Sequence, residues 1–317
     1  MPMGYRMDDA DVTGRATARP HSAGALGRLL LLALLGLCAG AVQAANCDEQ
    51  HWQGQRPVLV NPKLSVQTQP LCKQGFEVLH SGVTRTALWS AEHLTRQRIR
   101  AARTLDRQGT FFEDPVLPVR ARATLADYRG SGFDRGHLAP NGDMATRGQQ
   151  ADSFSLANMV PQNPQLNRGA WSEMEQAVRA MVAQEGEAYV LTGPAYRGAK
   201  VQRIGQVLVP TELWKAVYFP QRQAASAYWT PNDAQGAMEV ISVAELERRT
   251  GIRVWPGLAE RVRQQRVDLP LGTAHRGPRQ TPGTPPNESA AEPKGGPSSP
   301  DWWSVLRQLL QNVLKAH

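Results

Sequence analysis

The chain of 317 residues contains only three cysteines and one long apolar run. The run, LLLLALLGLCAGAVQA, occupies residues 29–44. It is too short for a comfortable membrane span and lacks a stop-transfer pattern, which argues against a membrane-spanning protein. Hydrophobic residues still make up 41% of the chain, so a sizeable globular core can form.

The apolar run has the pattern of a secretory signal peptide. Arg28 precedes it, and Val42 and Ala44 occupy the −3 and −1 positions of a cleavage site before Ala45. We therefore expect residues 1–44 to be an N-terminal extension and signal peptide. The mature protein is expected to be exported, either to the periplasm or into the medium.

Export changes the meaning of the cysteines, because removal of the signal peptide leaves only Cys47 and Cys72. An even pair in an oxidising compartment indicates a disulfide. A metal site would need more ligands nearby, and a free catalytic thiol rarely survives export. The sequence therefore predicts one disulfide, Cys47–Cys72.

The charge of the chain is positive, with a formal value of +8 and a pI near 9.7. Residues 45–272 carry 27 Lys and Arg against 22 Asp and Glu. Between Arg96 and Arg135 nine arginines stand against five acids, so the excess is local. Basic surfaces of this kind favour acidic partners such as nucleic acid.

Residues 45–272 have the pattern of one α+β domain. Strands are predicted at 76–83, 188–193 and 207–219, and helices at 90–102, about 168–184 and 243–251. Gly251 is expected to end the last helix.

The composition changes after residue 272. Residues 273–300 are rich in Pro, Gly and Ser and predict a disordered linker. Residues 301–317, DWWSVLRQLLQNVLKAH, place apolar side chains at helical spacing and predict an amphipathic helix. We expect this helix to dock on its own domain, on a partner or on a membrane surface.

The segment FDRGHLAPNGDM, residues 133–144, concentrates polar side chains that core packing does not require. His137 is a candidate general base, because an imidazole titrates near neutral pH. Arg135 is a candidate to neutralise phosphate charge, and Gly136 allows a sharp turn between them. The competing interpretation is a surface loop with an Asp134–Arg135 pair and an incidental histidine.

A second segment, NMVPQNPQLNRGAWSEMEQAVRAM at 158–181, combines an apolar helical stripe with polar candidates. Asn167 stands at the expected helix start, where the simple interpretation is an N-cap. Glu175 and Arg179 are four residues apart, and the simple interpretation is a surface ion pair. Glu175 nevertheless lies at the edge of the apolar stripe.

Together these segments resemble the DNA/RNA non-specific endonuclease family, nearest its endonuclease G branch. The resemblance rests on ADYRGSGFDRGHLAP and NMVPQNPQLNRGAWSEMEQAVR, and continues through YVLTGP, VPTELWKAVY and TGIRVWPGL. It implies a ββα-metal (His-Me finger) core within a mixed, mainly antiparallel domain. It also implies Mg²⁺ as the cofactor, with Mn²⁺ as the alternative.

The resemblance assigns roles to single positions of this chain. The general base falls on His137, its neighbouring arginine on Arg135, and the metal ligand on Asn167. Asp134 supports the geometry of the site. The other matches are Asn158, which helps to hold the histidine and the metal waters; Glu175, the carboxylate bonded to those waters; and two arginines near phosphate, Arg107 and Arg179.

The implied reaction is sequence-non-specific hydrolysis of DNA or RNA backbone to 5′-phosphate products, in a protein that can form a homodimer. Two other classes compete with it. One is a nucleic-acid-binding module without catalysis, which would lose His137, Asn167 or Glu175; all three are present. The other is an envelope protein whose functional part is the C-terminal helix.

Overall fold

A seven-stranded antiparallel sheet forms the centre of the protein, whose computed structural model describes residues 47–198 and 201–271. The strands of the described residues are β1 (Val58–Leu59), β2 (Thr68–Lys73), β3 (Phe76–Ser81), β4 (Thr86–Thr95), β5 (Asp134–His137), β6 (Met159–Gln162), β7 (Glu187–Ala195), β8 (Arg203–Ile204), β9 (Val207–Leu208), β10 (Glu212–Phe219), β11 (Ala224–Pro231), β12 (Glu239–Ile241) and β13 (Ile252–Arg253). The large sheet has the order β12-β11-β10-β7-β4-β3-β2.

Helices cover both faces of this sheet. They are α1 (Arg96–Ala102), α2 (Leu125–Tyr128), α3 (Arg147–Ser153), α4 (Pro164–Leu166), α5 (Ser172–Glu185), α6 (Val243–Thr250) and α7 (Glu260–Gln264). Short 3₁₀ turns occur at Asp48–Gln50, Trp52–Gly54, Pro62–Ser65, Asn141–Asp143, Leu156–Asn158 and Pro220–Arg222. No helix within these described ranges has the length and apolar character needed to cross a bilayer.

Two hydrophobic cores lie on opposite faces of the sheet, and strand alternation sends neighbouring side chains to different cores. On β10, Leu213 and Val217 join the core that contains Trp171 of the site region. Trp214 and Ala216 join the core formed with α6 and α7. The predicted site therefore belongs to one face only.

Strands β5 and β6 pair outside the large sheet and lead to α5, which makes a ββα unit. His137 lies opposite Met159, and Gly136 lies opposite Val160. A Cβ atom added to Gly136 would lie 2.1 Å from the Oε1 atom of Gln162 and 2.6 Å from its Cβ atom. The close approach of the two strands therefore requires glycine at this position.

The predicted α+β class and the ββα core are confirmed, but several boundaries differ. Residues 90–95, predicted to begin a helix, instead end the long strand β4. The prediction failed because both faces of a central strand are buried and the apolar pattern loses its alternation. The helix begins only at Arg96, where the side chain of Thr95 accepts a hydrogen bond from the Arg98 amide.

The other predicted elements hold with local interruptions. The predicted strand at 207–219 is divided into β9 and β10 around Pro210, which cannot donate a hydrogen bond to a sheet. Helix α6 ends as predicted at Gly251, which has a φ of 70°. The predicted disulfide is present between Cys47 and Cys72, with 5.7 Å between Cα atoms. The predictions for 1–44, 273–300 and 301–317 lie outside the described residues, and the domain limits stay predictions.

Candidate active site

A cavity of about 390 Å³ opens beside the ββα unit. Six of the eight residues predicted to form the site line it: Arg107, Arg135, His137, Asn167, Glu175 and Arg179. They come from three separate segments between Arg107 and Arg179, so the fold itself assembles the group. Asp134 and Asn158 lie behind the cavity wall.

His137 ends β5 and is half-buried between two aromatic rings. Its ring lies 5.3 Å from that of Phe154 and 5.8 Å from that of Phe111, between centroids. The Nε2 atom is buried without a hydrogen-bond partner in the described residues, which leaves Nδ1 as the nitrogen open to the cavity. Burial and the nearby Arg107 lower the pKa of His137 to about 3, so the imidazole is neutral at physiological pH.

Asn167 begins a π-helical turn, Asn167–Trp171, immediately before α5. Such single turns are frequent at functional sites because they redirect side chains. The Nδ2 atom of Asn167 donates to the Oδ2 atom of Asp134 at 2.9 Å. Because a carboxylate only accepts, this contact fixes the amide orientation and leaves the Oδ1 atom of Asn167 for a ligand. The interpretation of Asn167 as an N-cap was wrong, since Asn163 caps the preceding helix α4.

Asp134 is held in place from the opposite side by Arg168. The Nε atom of Arg168 donates to Oδ2 at 2.8 Å, and its second terminal nitrogen donates to Oδ1 at 2.6 Å. Partial burial opposes ionisation of Asp134, but the hydrogen bonds from Arg168 and Asn167 outweigh it and hold the pKa of Asp134 below its usual value. Asp134 is thus a charged support for Asn167.

Glu175 lies two turns after Asn167, on the cavity side of α5. Burial raises the pKa of Glu175 to about 7, although the charges of Lys215 and Arg179 oppose this. The simple interpretation of Glu175 and Arg179 as a surface ion pair is wrong, because Arg179 is largely buried and instead donates to the Oδ1 atom of Asp143 at 2.9 Å. Arg179 therefore reaches the cavity with its charge already paired.

Two further arginines bring positive charge to the cavity, and both lie over aromatic rings. The guanidinium of Arg135 is 4.2 Å from the ring centroid of Phe111. That of Arg107 is 5.2 Å from the centroid of Phe154. Neither forms an ion pair among the described residues, so both charges remain available to an anionic ligand.

Asn158 is fully buried and serves the chain segment that follows His137. Its Oδ1 atom accepts from the Ala139 amide at 3.0 Å, and its Nδ2 atom donates to the carbonyls of Ala139 and Ser153. This geometry agrees with the expected role in holding the histidine. Asn158 does not line the cavity, and its expected contact with metal waters stays a prediction.

The donors in the cavity fit a hard divalent cation. Mg²⁺ prefers oxygen ligands, keeps several of its waters and needs few protein ligands. The free Oδ1 atom of Asn167 and the carboxylate of Glu175 are such donors, and both line the cavity. The described ranges contain no cluster of three or more His, Cys, Asp or Glu that would hold a metal ion directly. A site with one neutral protein ligand is the form that agrees with this structure.

Sequence reasoning missed the residues that support the site from behind. Lys215 lies within the predicted strand at 207–219, and Asp143 lies near the end of the segment 133–144; neither had a predicted role. Phe111 and Phe154, which flank His137, were also missed. A lone charge inside LWKAVYF was the available signal, because lysine is rarely buried without a partner.

The ββα unit and the cavity beside it define a ββα-metal nuclease. The family model described as DNA/RNA non-specific endonuclease matches residues 58–261. The chain belongs to this family, and is thus a hydrolase that acts on the phosphodiester bonds of nucleic acid.

Individual relatives support the endonuclease G branch. Nuclease C1 of Cunninghamella echinulata var. echinulata is 36% identical over 178 residues, which cover 51% of this chain and 71% of that protein. Mitochondrial endonuclease G of Homo sapiens is 32% identical over 212 residues, covering 60% and 70%. A solved structure titled as the EndoG/EndoGI complex matches with a TM-score of 0.56 and 26% identity, covering 63% of this chain and 89% of that one.

Proposed function

We propose that this protein is an Mg²⁺-dependent endonuclease that hydrolyses DNA and RNA without base specificity and leaves 5′-phosphate ends. The meeting of His137, Asn167 and Glu175 with two free arginines in one cavity carries the proposal. The groups on the cavity wall recognise phosphate, and contacts to phosphate carry no sequence information.

His137 acts as the general base. Its neutral Nδ1 atom accepts a proton from a water molecule as the water oxygen bonds to phosphorus. The bond between phosphorus and the 3′ oxygen then breaks, and that oxygen takes a proton from solvent. The products are a 5′-phosphate and a 3′-hydroxyl. The low pKa of His137 keeps the base unprotonated before attack, and the rings of Phe111 and Phe154 hold its plane.

The remaining residues bind and orient. Arg135 and Arg107 bring positive charge to the phosphate, which gains negative charge in the transition state. Asn167 would hold the cation, with Asp134 fixing the amide of Asn167, and Glu175 would accept hydrogen bonds from the waters of the cation. When bound there, Mg²⁺ would neutralise charge on the phosphate and on the leaving oxygen.

Incubation of supercoiled plasmid and of RNA with the purified protein tests this function. We expect cutting of both in Mg²⁺ or Mn²⁺, arrest by EDTA, and ends that accept label from a kinase only after phosphatase treatment. His137→Ala is the matched control and should bind the substrate without cutting it. Cutting that survives EDTA, or tight binding by the wild-type protein without cutting, would contradict the proposal; the second outcome would indicate a binding module.

The protein is also proposed to be exported. The signal pattern at residues 29–44 and the Cys47–Cys72 disulfide support this, since disulfides persist in oxidising compartments. Fractionation of the producing cells should recover the protein outside the cytoplasm, and thiol labelling should find both cysteines blocked. Recovery of the protein in the cytoplasm, with both thiols free, would contradict it.

A further inference from the structure

Lys215 is a buried lysine that the chemistry above does not use. It lies in the middle of β10 and is only 1% exposed. Strand alternation places it with Leu213 and Val217 on the face of the sheet that packs against the site. An ionised group so far from water is costly unless polar partners compensate for the loss of hydration, so its contacts bear on why it is there.

The ammonium group of Lys215 contacts two segments of the site. Its Nζ atom donates to the carbonyl oxygen of Leu138 at 3.3 Å, and Leu138 directly follows His137. The same atom lies 5.7 Å from the ring centroid of Trp171, at the junction between the turn of Asn167 and helix α5. One side chain thus connects the segment of the base to the segment of the metal donors.

A third contact fixes the lysine itself. Its Nζ atom donates to the Oγ1 atom of Thr192 at 2.5 Å, and the two residues are directly opposite in the pairing of β10 with β7. The sheet therefore supplies a rigid anchor, and the flexible side chain has a defined position. The contacts of Lys215 with the site are therefore fixed by the register of β10 against β7.

Charge balance around the cavity gives Lys215 a second role. Arg98 pairs with Glu92 at 3.2 Å and Arg179 pairs with Asp143 at 2.9 Å, but no cation in the described ranges forms an ion pair with Glu175. The charges of Lys215 and Arg179 stabilise the carboxylate of Glu175.

We propose that Lys215 is a positioning residue for the reaction: it fixes the backbone that follows His137 against the helix that carries Glu175, and supplies positive charge to the region of that carboxylate. This inference rests on the function proposed above. The lysine touches neither substrate nor the reacting atoms, so its removal should lower kcat while KM changes little.

The test compares three variants of the full chain in Mg²⁺-dependent plasmid cleavage. Lys215→Met keeps the length and removes the charge, and should lower kcat by about 10- to 100-fold, the range expected for a misplaced catalytic group. Lys215→Arg keeps the charge and should recover much of this loss. Arg263→Met is the control, because Arg263 is another buried cation that donates to a carbonyl, that of Leu258 at 3.1 Å, but lies with α7 on the other face of the sheet.

The split between kcat and KM separates positioning from a general loss of packing. In folded Lys215→Met kcat should fall while KM stays near the wild-type value, Lys215→Arg should recover kcat, and Arg263→Met should leave both near wild type. A kcat of Lys215→Met within about twofold of wild type, or an equal loss in Arg263→Met, would overturn the inference, because a misplaced group costs about 10²-fold.

If Lys215→Met fails to fold, the kcat of Thr192→Val tests the inference instead. It removes one acceptor from Lys215 and preserves the side-chain shape, so it should lower kcat in the same direction by a smaller factor. Unchanged kcat in folded Thr192→Val would then overturn the inference. If the wild-type protein does not cut plasmid at all, the proposed function is contradicted. If the wild type cuts and the variants keep its kcat, only the role of Lys215 is contradicted.

Discussion

At the scale of single residues, the site separates two jobs that its chemistry requires. His137 is neutral because it is enclosed by aromatic rings and faces a cation, Arg107. Asn167 presents an oxygen because Asp134 accepts from its nitrogen. Loss of hydration thus determines the protonation state of the base, and a hydrogen bond determines the orientation of the metal donor. Substitutions at the two positions should therefore impair cleavage in different ways.

His137→Ala should retain the metal donors, so Mg²⁺ and DNA still bind while turnover falls by about 10²- to 10⁴-fold, the usual cost of losing a general base. Asn167→Ala should weaken Mg²⁺ binding, so part of its activity should return at high metal concentration. A Mg²⁺ titration of cleavage rates compares them, with circular dichroism to verify folding. Rescue of His137→Ala by extra metal, without rescue of Asn167→Ala, would reverse the two roles.

We expect the pH dependence of cleavage to come from Glu175 rather than from His137. Glu175 is proposed to act as a carboxylate, and its pKa of about 7 means that this charge is lost as pH falls through that value. His137, with a pKa of about 3, stays neutral over the same range and sets no limb there. The rate should therefore fall below about pH 7, and Glu175→Gln should have a lower plateau without this limb. An unchanged limb in that variant would assign the titration to another group.

At the scale of elements, the sequence predicted those features of secondary structure that depend on contacts between neighbouring residues. The end of α6 at Gly251 was predicted from a few neighbouring positions, whereas the expected sharp turn at Gly136 was wrong, because Gly136 lies within strand β5. Strand β4 was missed, and its last six residues were assigned to a helix, because its buried faces remove the alternation that marks a strand. The contact of Lys215 with Leu138 joins residues 77 apart in the chain, and no periodicity encodes such a pairing. The resemblance named the reacting residues, and the structure added those that hold them.

The pairing of β5 with β6 makes a prediction about Gly136. Gly136→Ala should push the strands apart, since the new methyl group would overlap the side chain of Gln162. We expect a loss of about 1–3 kcal/mol in the free energy of unfolding, typical of overpacking. Cleavage should decrease further, since His137 and Arg135 are on the displaced strand.

A second substitution, Gln162→Gly, should compensate for Gly136→Ala by removing the side chain that the new methyl group would overlap. In Gly136→Ala with Gln162→Gly, all the side-chain atoms that the methyl group meets at close range are absent. Cleavage should then recover relative to Gly136→Ala, and both should be compared with Gln162→Gly alone. If the double variant folds but cleavage does not recover, Gly136 is not required for the close approach of β5 to β6.

At the scale of the whole molecule, the domain is stabilised at its N-terminal side by the Cys47–Cys72 disulfide, which ties the turn Asp48–Gln50 to β2. The sequence separation of 25 corresponds to about 3 kcal/mol of loop entropy in the unfolded state. Replacement of both cysteines by serine should reduce the free energy of unfolding in urea by this order and leave cleavage by the folded protein unchanged. Reduction of the wild type should have the same effect, and an unchanged urea midpoint in both cases would contradict the prediction.

Residues 267–270 pack against the domain just before its predicted C-terminal limit. Leu269 is buried in the core next to the site, the carbonyl of Pro270 accepts from the Tyr228 hydroxyl at 3.0 Å, and the Val267 amide donates to Ser226 at 2.7 Å. A chain that ends after residue 272 keeps these contacts and should cut plasmid at the rate of the full chain. A chain that ends after residue 265 loses all three contacts and should unfold at a lower urea concentration. Its free energy of unfolding should fall by at least roughly 1.5–3 kcal/mol, the contribution of one buried leucine. Equal stability of the two chains would show that this segment is not part of the fold, and inactivity of the longer one, if folded, would place part of the catalytic unit beyond residue 272.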